Sequence, residues 1–178
     1  GQCHDVERFA SREHTGHVQA ANAPDCVSCH MPARTYMVVD RRHDHSFRIP
    51  RPDLSVALGT PNACNDCHAD KPPAWAAAAV ERWHGPVRKG HQTYAAAFHA
   101  ARTQDPSAGR RLQALAGDAA VPAVARATAV AALSAWPSAA GEAAAASALF
   151  DPDPLVRVAA ARAQEGQPLE ARWRRLAP

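Results

Sequence analysis

The apolar positions of this 178-residue chain follow two regimes. Beyond position 72 they recur at helical spacing. "AWAAAAVERW" (74–83) predicts a helix with Pro73 near its start and the "GP" at 85–86 as its end. Trp75 and Trp83 lie two helical turns apart and so share one face of it. "HQTYAAAFHAAR" (91–102) predicts a second helix with Tyr94, Phe98 and Ala101 along one side. "VPAVARATAVAAL" (121–133) and "DPLVRVAAARAQ" (153–164) superpose when Arg126 is set on Arg157, and that offset is the repeat period. Each follows a shorter helical segment, "AGRRLQALAGD" (108–118) and "SAAGEAAAASALFD" (138–151). Asp153 is placed as an N-cap, with Pro154 at the first helical position. "QPLEARWRRL" (167–176) reads as the opening of a third unit.

The stretch 1–72 shows no such period and reads as mostly irregular. The prolines at 50 and 52 in "RIPRPD" (48–53) rule out a helix there. "TYMVVD" (35–40) predicts a short strand, but no second pattern offers it a partner. So few large apolar residues cannot build a conventional core around that much loop. The interior calls for something bulky and apolar that the sequence does not contain.

Composition shifts along the same line. All five cysteines (Cys3, Cys26, Cys29, Cys64 and Cys67) and all ten histidines lie before position 100, whereas alanine dominates the chain beyond it. The hydrophobic fraction of 47% is inflated by that alanine. A net charge of +3, dispersed and without a Lys/Arg stripe, argues against a nucleic-acid partner. No apolar stretch reaches the ~18 residues of a bilayer span. The chain starts at Gly1 without a signal-peptide pattern, and is expected to be a processed product or a piece of a longer protein.

"CVSCH" (26–30) and "CNDCH" (64–68) are both Cys-x-x-Cys-His, the attachment motif of c-type haem. Two thiols tether the porphyrin through thioethers, and the following histidine, His30 or His68, becomes the proximal iron ligand. "GQCH" (1–4) would complete a third copy if a cysteine preceded Gly1, which makes Cys3 and His4 candidates for a further haem and accounts for the odd cysteine count. Zinc is the main rival, since two Cys-x-x-Cys pairs can form a tetrathiolate site. The separation of the pairs, from Cys29 to Cys64, exceeds the usual ribbon spacing, and zinc explains neither the histidine after each pair nor Cys3–His4. A disulfide scaffold explains neither feature.

Each iron would have a sixth position, and spare histidines are available in "EHTGH" (His14, His17) and "RHDHSF" (His43, His45). His17, His45 and His14 are the candidate distal ligands, in that order, with His43 behind them. Two imidazoles per iron lower the potential relative to His/Met ligation. His84, His91 and His99 are expected at the surface or a haem edge. Met31 follows His30 too closely to bend back to the same iron, and Met37 is expected to pack rather than ligate.

Two resemblances add to this picture. "ALFDPDPLVRVAAARA" resembles the HEAT repeat; coverage is two repeats and a fragment, and the first repeat departs from the pattern at the Asp-Pro turn. An alanine-rich helical bundle is the alternative. The run from "CVSCHMPARTYMVVDRRHDHSFRIPRPDLSVALGTPNACNDCHADKPPAW" is similar to the C-terminal haem segment of multihaem c-type cytochromes that carry HEAT-like or tetratricopeptide repeats. Those are related to the hydroxylamine oxidoreductases, pentahaem nitrite reductases and tetrahaem cytochromes of ammonia oxidisers. "CHMP" and "HSFRIPRPD" carry most of the likeness, which covers positions 1 to about 165. It implies that His14 and His17 lie in the histidine-rich stretch ahead of the CHMP haem, that His45 is the ligating histidine of "DHSF", and that further haems stand upstream of Gly1 in full-length members.

The expected fold is mainly α. Positions 1–72 form an irregular, haem-packed multihaem segment, 73–103 a helical connector, and 104–178 HEAT-like helical repeats, two plus a partial third. The expected function is electron transfer through closely spaced, bis-histidine haems, with the repeats as a docking region for a redox partner protein or for an upstream haem-bearing part. The alternative is part of an oxidoreductase acting on a small nitrogen or sulfur compound, its catalytic haem elsewhere. A bland third reading makes the repeats the functional part and the haems structural. Haem attachment of this kind implies a bacterial periplasm or cell exterior.

Overall fold

Prolines, caps and helical periods place the elements. The computed structural model describes residues 5–18, 24–86 and 92–165. The chain is mainly helical and divides into two compact units, Gly1–Lys89 and Gly90–Pro178. The stretch 73–103 is shared between them, its first helix in one unit and its second in the other.

The first unit holds α1 (Val6–Phe9), α2 (Arg12–Thr15), α3 (Cys26–His30), β1 (Ala33–Tyr36), β2 (Asp40–His43), α4 (Pro52–Leu58), α5 (Cys64–Cys67) and α6 (Pro73–His84). Two expectations are corrected here. Pro52 does not exclude a helix but starts α4 at its first position, where a missing N–H and a fixed φ cost nothing. The segment 35–40 is not an unpartnered strand. Tyr36 ends β1, positions 37–39 form the loop, and Asp40 opens β2, with Ala33 opposite His43 in antiparallel register. The loop is tight enough that Met37 and Val38 adopt φ of 49° and 72°. α4 packs against α6. The buried residues around that contact are small or polar: Pro52, Ser55, Asn62, Ala76 and Ala79.

The second unit holds α7 (Ala95–Arg102), α8 (Ala108–Gly117), α9 (Ala123–Ala132), α10 (Ala139–Ser147) and α11 (Pro154–Ala163), with a 3₁₀ turn after α9 and another after α10. Asp153 caps α11 by accepting from Leu155 N–H at 2.8 Å, with Pro154 at the first helical position. α9 packs on α8 and α11, and α7 and α10 pack on α8. Leu112, Val130 and Val156 are fully buried at the centre, and Tyr94, Phe98 and Ala101 pack against this cluster from α7 and the residue before it. The repeat-related arginines serve different ends. Arg126 makes a buried ion pair with Asp151, whereas Arg157 donates to the Asp151 and Pro152 carbonyls at 2.8 and 2.9 Å. The "QPLEARWRRL" segment lies outside the described residues.

Candidate functional site

Each Cys-x-x-Cys-His motif folds as one short helical turn, which sets its two cysteines on one side. In α3 the turn is capped by Asp25, whose carboxylate accepts from Ser28 N–H at 2.9 Å; hydrogen bonds from Ser28 lower its pKa. In α5 the variable residues hold the turn instead. Asn65 donates to the carbonyls of His68 (3.0 Å) and Lys71 (2.8 Å), and Asn62 donates to Ser55 Oγ (2.9 Å) and Asn65 Oδ1 (2.8 Å).

The four described cysteines are free thiols. Burial, and then the neighbouring thiols of Cys64 and Cys67, push the Cys29 thiol up, so the two motifs share one neighbourhood. Burial also raises Cys64. Among the described residues no three His, Cys, Asp or Glu side chains converge on a single point.

The histidines pair instead. His14 of α2 lies against His30, with ring centroids 5.9 Å apart and planes 18° from parallel. His17, just beyond α2, lies against His68 at 6.2 Å and 23°. An offset aromatic pair spans about 4.5–7 Å. Two imidazoles sharing one metal ion would have centroids about 6.2 Å apart, since each metal–nitrogen bond is about 2.0 Å and the centroid lies ~1.1 Å behind the nitrogen. Both observed separations fit that gap.

The tautomers sharpen the comparison. A carbonyl only accepts, so a ring nitrogen bonded to one must carry the proton. Nδ1 of His30 donates to the Arg48 carbonyl at 2.8 Å, and Nδ1 of His17 to the Thr15 carbonyl at 2.6 Å. In the neutral ring that tautomer puts the lone pair on Nε2, the form a metal ligand needs. Burial, and then the charges of His30, His84 and Arg8, lower the pKa of His14 and favour its neutral form. Phe47 lies parallel to the His30 ring at 4.7 Å, Trp75 covers His68 at 4.8 Å, and Trp83 flanks His17 at 6.2 Å.

His43 and His45 are exposed. Their Nδ1 atoms donate to the Met31 carbonyl (2.7 Å) and the His43 carbonyl (2.9 Å). It is Phe47 of the "DHSF" segment that meets the His30 ring, and His14 and His17 that meet the two motif histidines. Asp44 fixes this turn. Ser46 Oγ–H and N–H, and then Arg48, hold its carboxyl down at about 2. Met31 contributes a carbonyl, and Met37 stands at the exposed hairpin loop. Cys3, His4 and His91 lie outside the described residues.

Sequence reasoning did not find Phe47, Asn65, Gly16 or the carbonyl of Arg48. The two-turn spacing of Trp75 and Trp83 was the one signal available for the indoles. No family model, curated protein or solved structure matches the chain.

Proposed function

We propose that this chain carries electrons through c-type haems held at Cys26, Cys29 and His30 and at Cys64, Cys67 and His68. The observation that carries this reading is the pairing of each motif's histidine with one histidine of the "HTGH" segment, at 5.9 and 6.2 Å. When bound, each haem supplies an iron that takes up and releases one electron. The chain provides thiols for the tethers and His30 and His68 on one side of the irons. His14 and His17 would supply the second imidazole to each haem, and with Nδ1–H bonded to a carbonyl the neutral rings of His17 and His30 would offer Nε2.

Two histidines for each haem would leave no iron position for substrate, which favours electron transfer over catalysis in this segment. Because His14 and His17 are near neighbours in sequence and Cys29 neighbours Cys64 and Cys67, the two haems would be held close enough for direct exchange. Cys3 and His4 are proposed to hold a third haem, and His45 to serve an iron other than these two. The helical repeats are proposed as the docking region for a redox partner or an upstream haem-bearing part, outside the bacterial cytoplasm.

The test is a redox titration of the haem-loaded full chain followed by CO addition. Reversible titration and no CO binding to the reduced wild type are expected, with H14A and H17A each opening one haem to CO. Fast CO binding by the wild type, or no c-type absorbance at all, would overturn the proposal.

A further inference from the structure

Trp83 sits on the last turn of α6 with its indole over Gly16, the residue between the "HT" and "H" of the paired-histidine segment. Gly16 has φ 69°, a left-handed conformation that favours glycine. A Cβ at Gly16 would also lie 2.5 Å from Cζ2 and 2.6 Å from Cε2 of Trp83. At Gly59 and Gly85, which share the positive φ, an added Cβ meets nothing within 4 Å. The crowding is therefore particular to Gly16 and to one indole.

The same turn fixes His17. Thr15 Oγ1 accepts from His17 N–H at 3.1 Å, and His17 Nδ1 donates to the Thr15 carbonyl at 2.6 Å. Two turns earlier on α6, Trp75 covers His68. One helix thus puts an indole on each member of the His17–His68 pair. Trp83 remains 41% exposed, so burial alone does not account for its place.

We propose that Trp83 is a positioning residue that sets the reach of His17 through contact with Gly16, and so governs the ligation state of the haem at Cys64, Cys67 and His68. The inference rests on the haem reading above. It predicts that α6 controls one haem and leaves the other, paired through His14 and His30, unchanged.

The test compares the haem-loaded full chain as wild type, W83A, G16A, G16A/W83A and H17A. Covalent haem content, measured as the pyridine haemochrome, should be unchanged in all, because no attachment cysteine is touched. W83A and G16A should each gain a high-spin signal and CO binding at one haem. Their His17 occupancy should fall about 10- to 100-fold, the range seen when outer-shell partners of a metal ligand are lost. H17A sets the full effect. Without the indole only the left-handed φ still penalises the Cβ, so G16A should cost less in the W83A background than in the wild type, a departure from additivity that marks direct coupling. Should W83A fail to mature, W83F decides, since it keeps a ring on α6 while shortening the side chain that reaches Gly16. Low-spin, CO-inert haems in G16A and W83A, with H17A open, would overturn the inference and leave the haem reading standing. A wild type without haem c would instead overturn that reading.

Discussion

The two units solve the problem of an interior differently. The second closes on its own side chains, with Leu112, Val130 and Val156 wholly buried among alanines. In the first, Ala76 and Ala79 are the buried hydrophobic residues among those described, joined by Pro52, Ser55 and Asn62. Of its large apolar side chains, Val18, Tyr36, Phe47, Ile49, Val56, Trp75 and Trp83 stand between 37% and 66% exposed, and Met37, Val38 and Val39 between 76% and 90%. A unit of this size gains stability mainly by burying apolar surface against the entropy of ordering its chain. Its own side chains leave that surface uncovered, and a porphyrin at each Cys-x-x-Cys-His motif would cover it. One chain thus combines a helical half that buries large side chains of its own with a half that leaves most of them exposed.

The largest expected effect separates the halves directly. Replacing Cys64 and Cys67 by Ala should abolish amide-exchange protection in the first unit while the second keeps its own; equal loss in both would break the contrast. Next is the core of the second unit, where L112A should cost about 2–5 kcal/mol in urea denaturation and leave the haem spectrum unaltered. A shifted spectrum would show that the halves are not independent.

Acid should act on the second unit through Asp151. The Asp153 N–H and the Arg126 guanidinium hold its carboxyl below the ordinary range. Because the folded value is the lower one, the contribution is complete above about pH 4 and is lost as pH falls through the folded value. Thermal melts of the second unit should therefore weaken in acid, and D151N should flatten that dependence. The smallest effect belongs to the hairpin loop. Val38 is β-branched, 90% exposed and at φ 72°. V38G should therefore raise first-unit stability by up to about 1 kcal/mol. A loss of stability there would mean that the valine side chain makes a contact worth more than the strain.

The helical half was legible because period and caps coincide. Asp153 and Pro154 mark the start of α11, and Arg126 and Arg157 mark a repeat in sequence. In the first unit the sequence displayed candidate chemistry but not shape. Pro52 looks like a breaker until its place at the first turn of α4 is known. β2 is the charged run "DRRH", with no apolar alternation to betray a strand. The "CxxCH" motifs identify His30 and His68 as one side of each pair, but the partners come from distant sequence, and spacing alone cannot assign His14 to His30 and His17 to His68. The expectation that ranked His45 above His14 came from the spare histidines of the two segments, before the resemblance was added; proximity in space favours His14 for the described motifs.

Haem content measured together with bound metal tests the account most directly. The full chain, produced in a host that attaches c-type haem, should give a pyridine haemochrome with one haem for each of the motifs at 26–30 and 64–68. It should contain no stoichiometric zinc. Stoichiometric zinc without c-type absorbance would contradict the central claim.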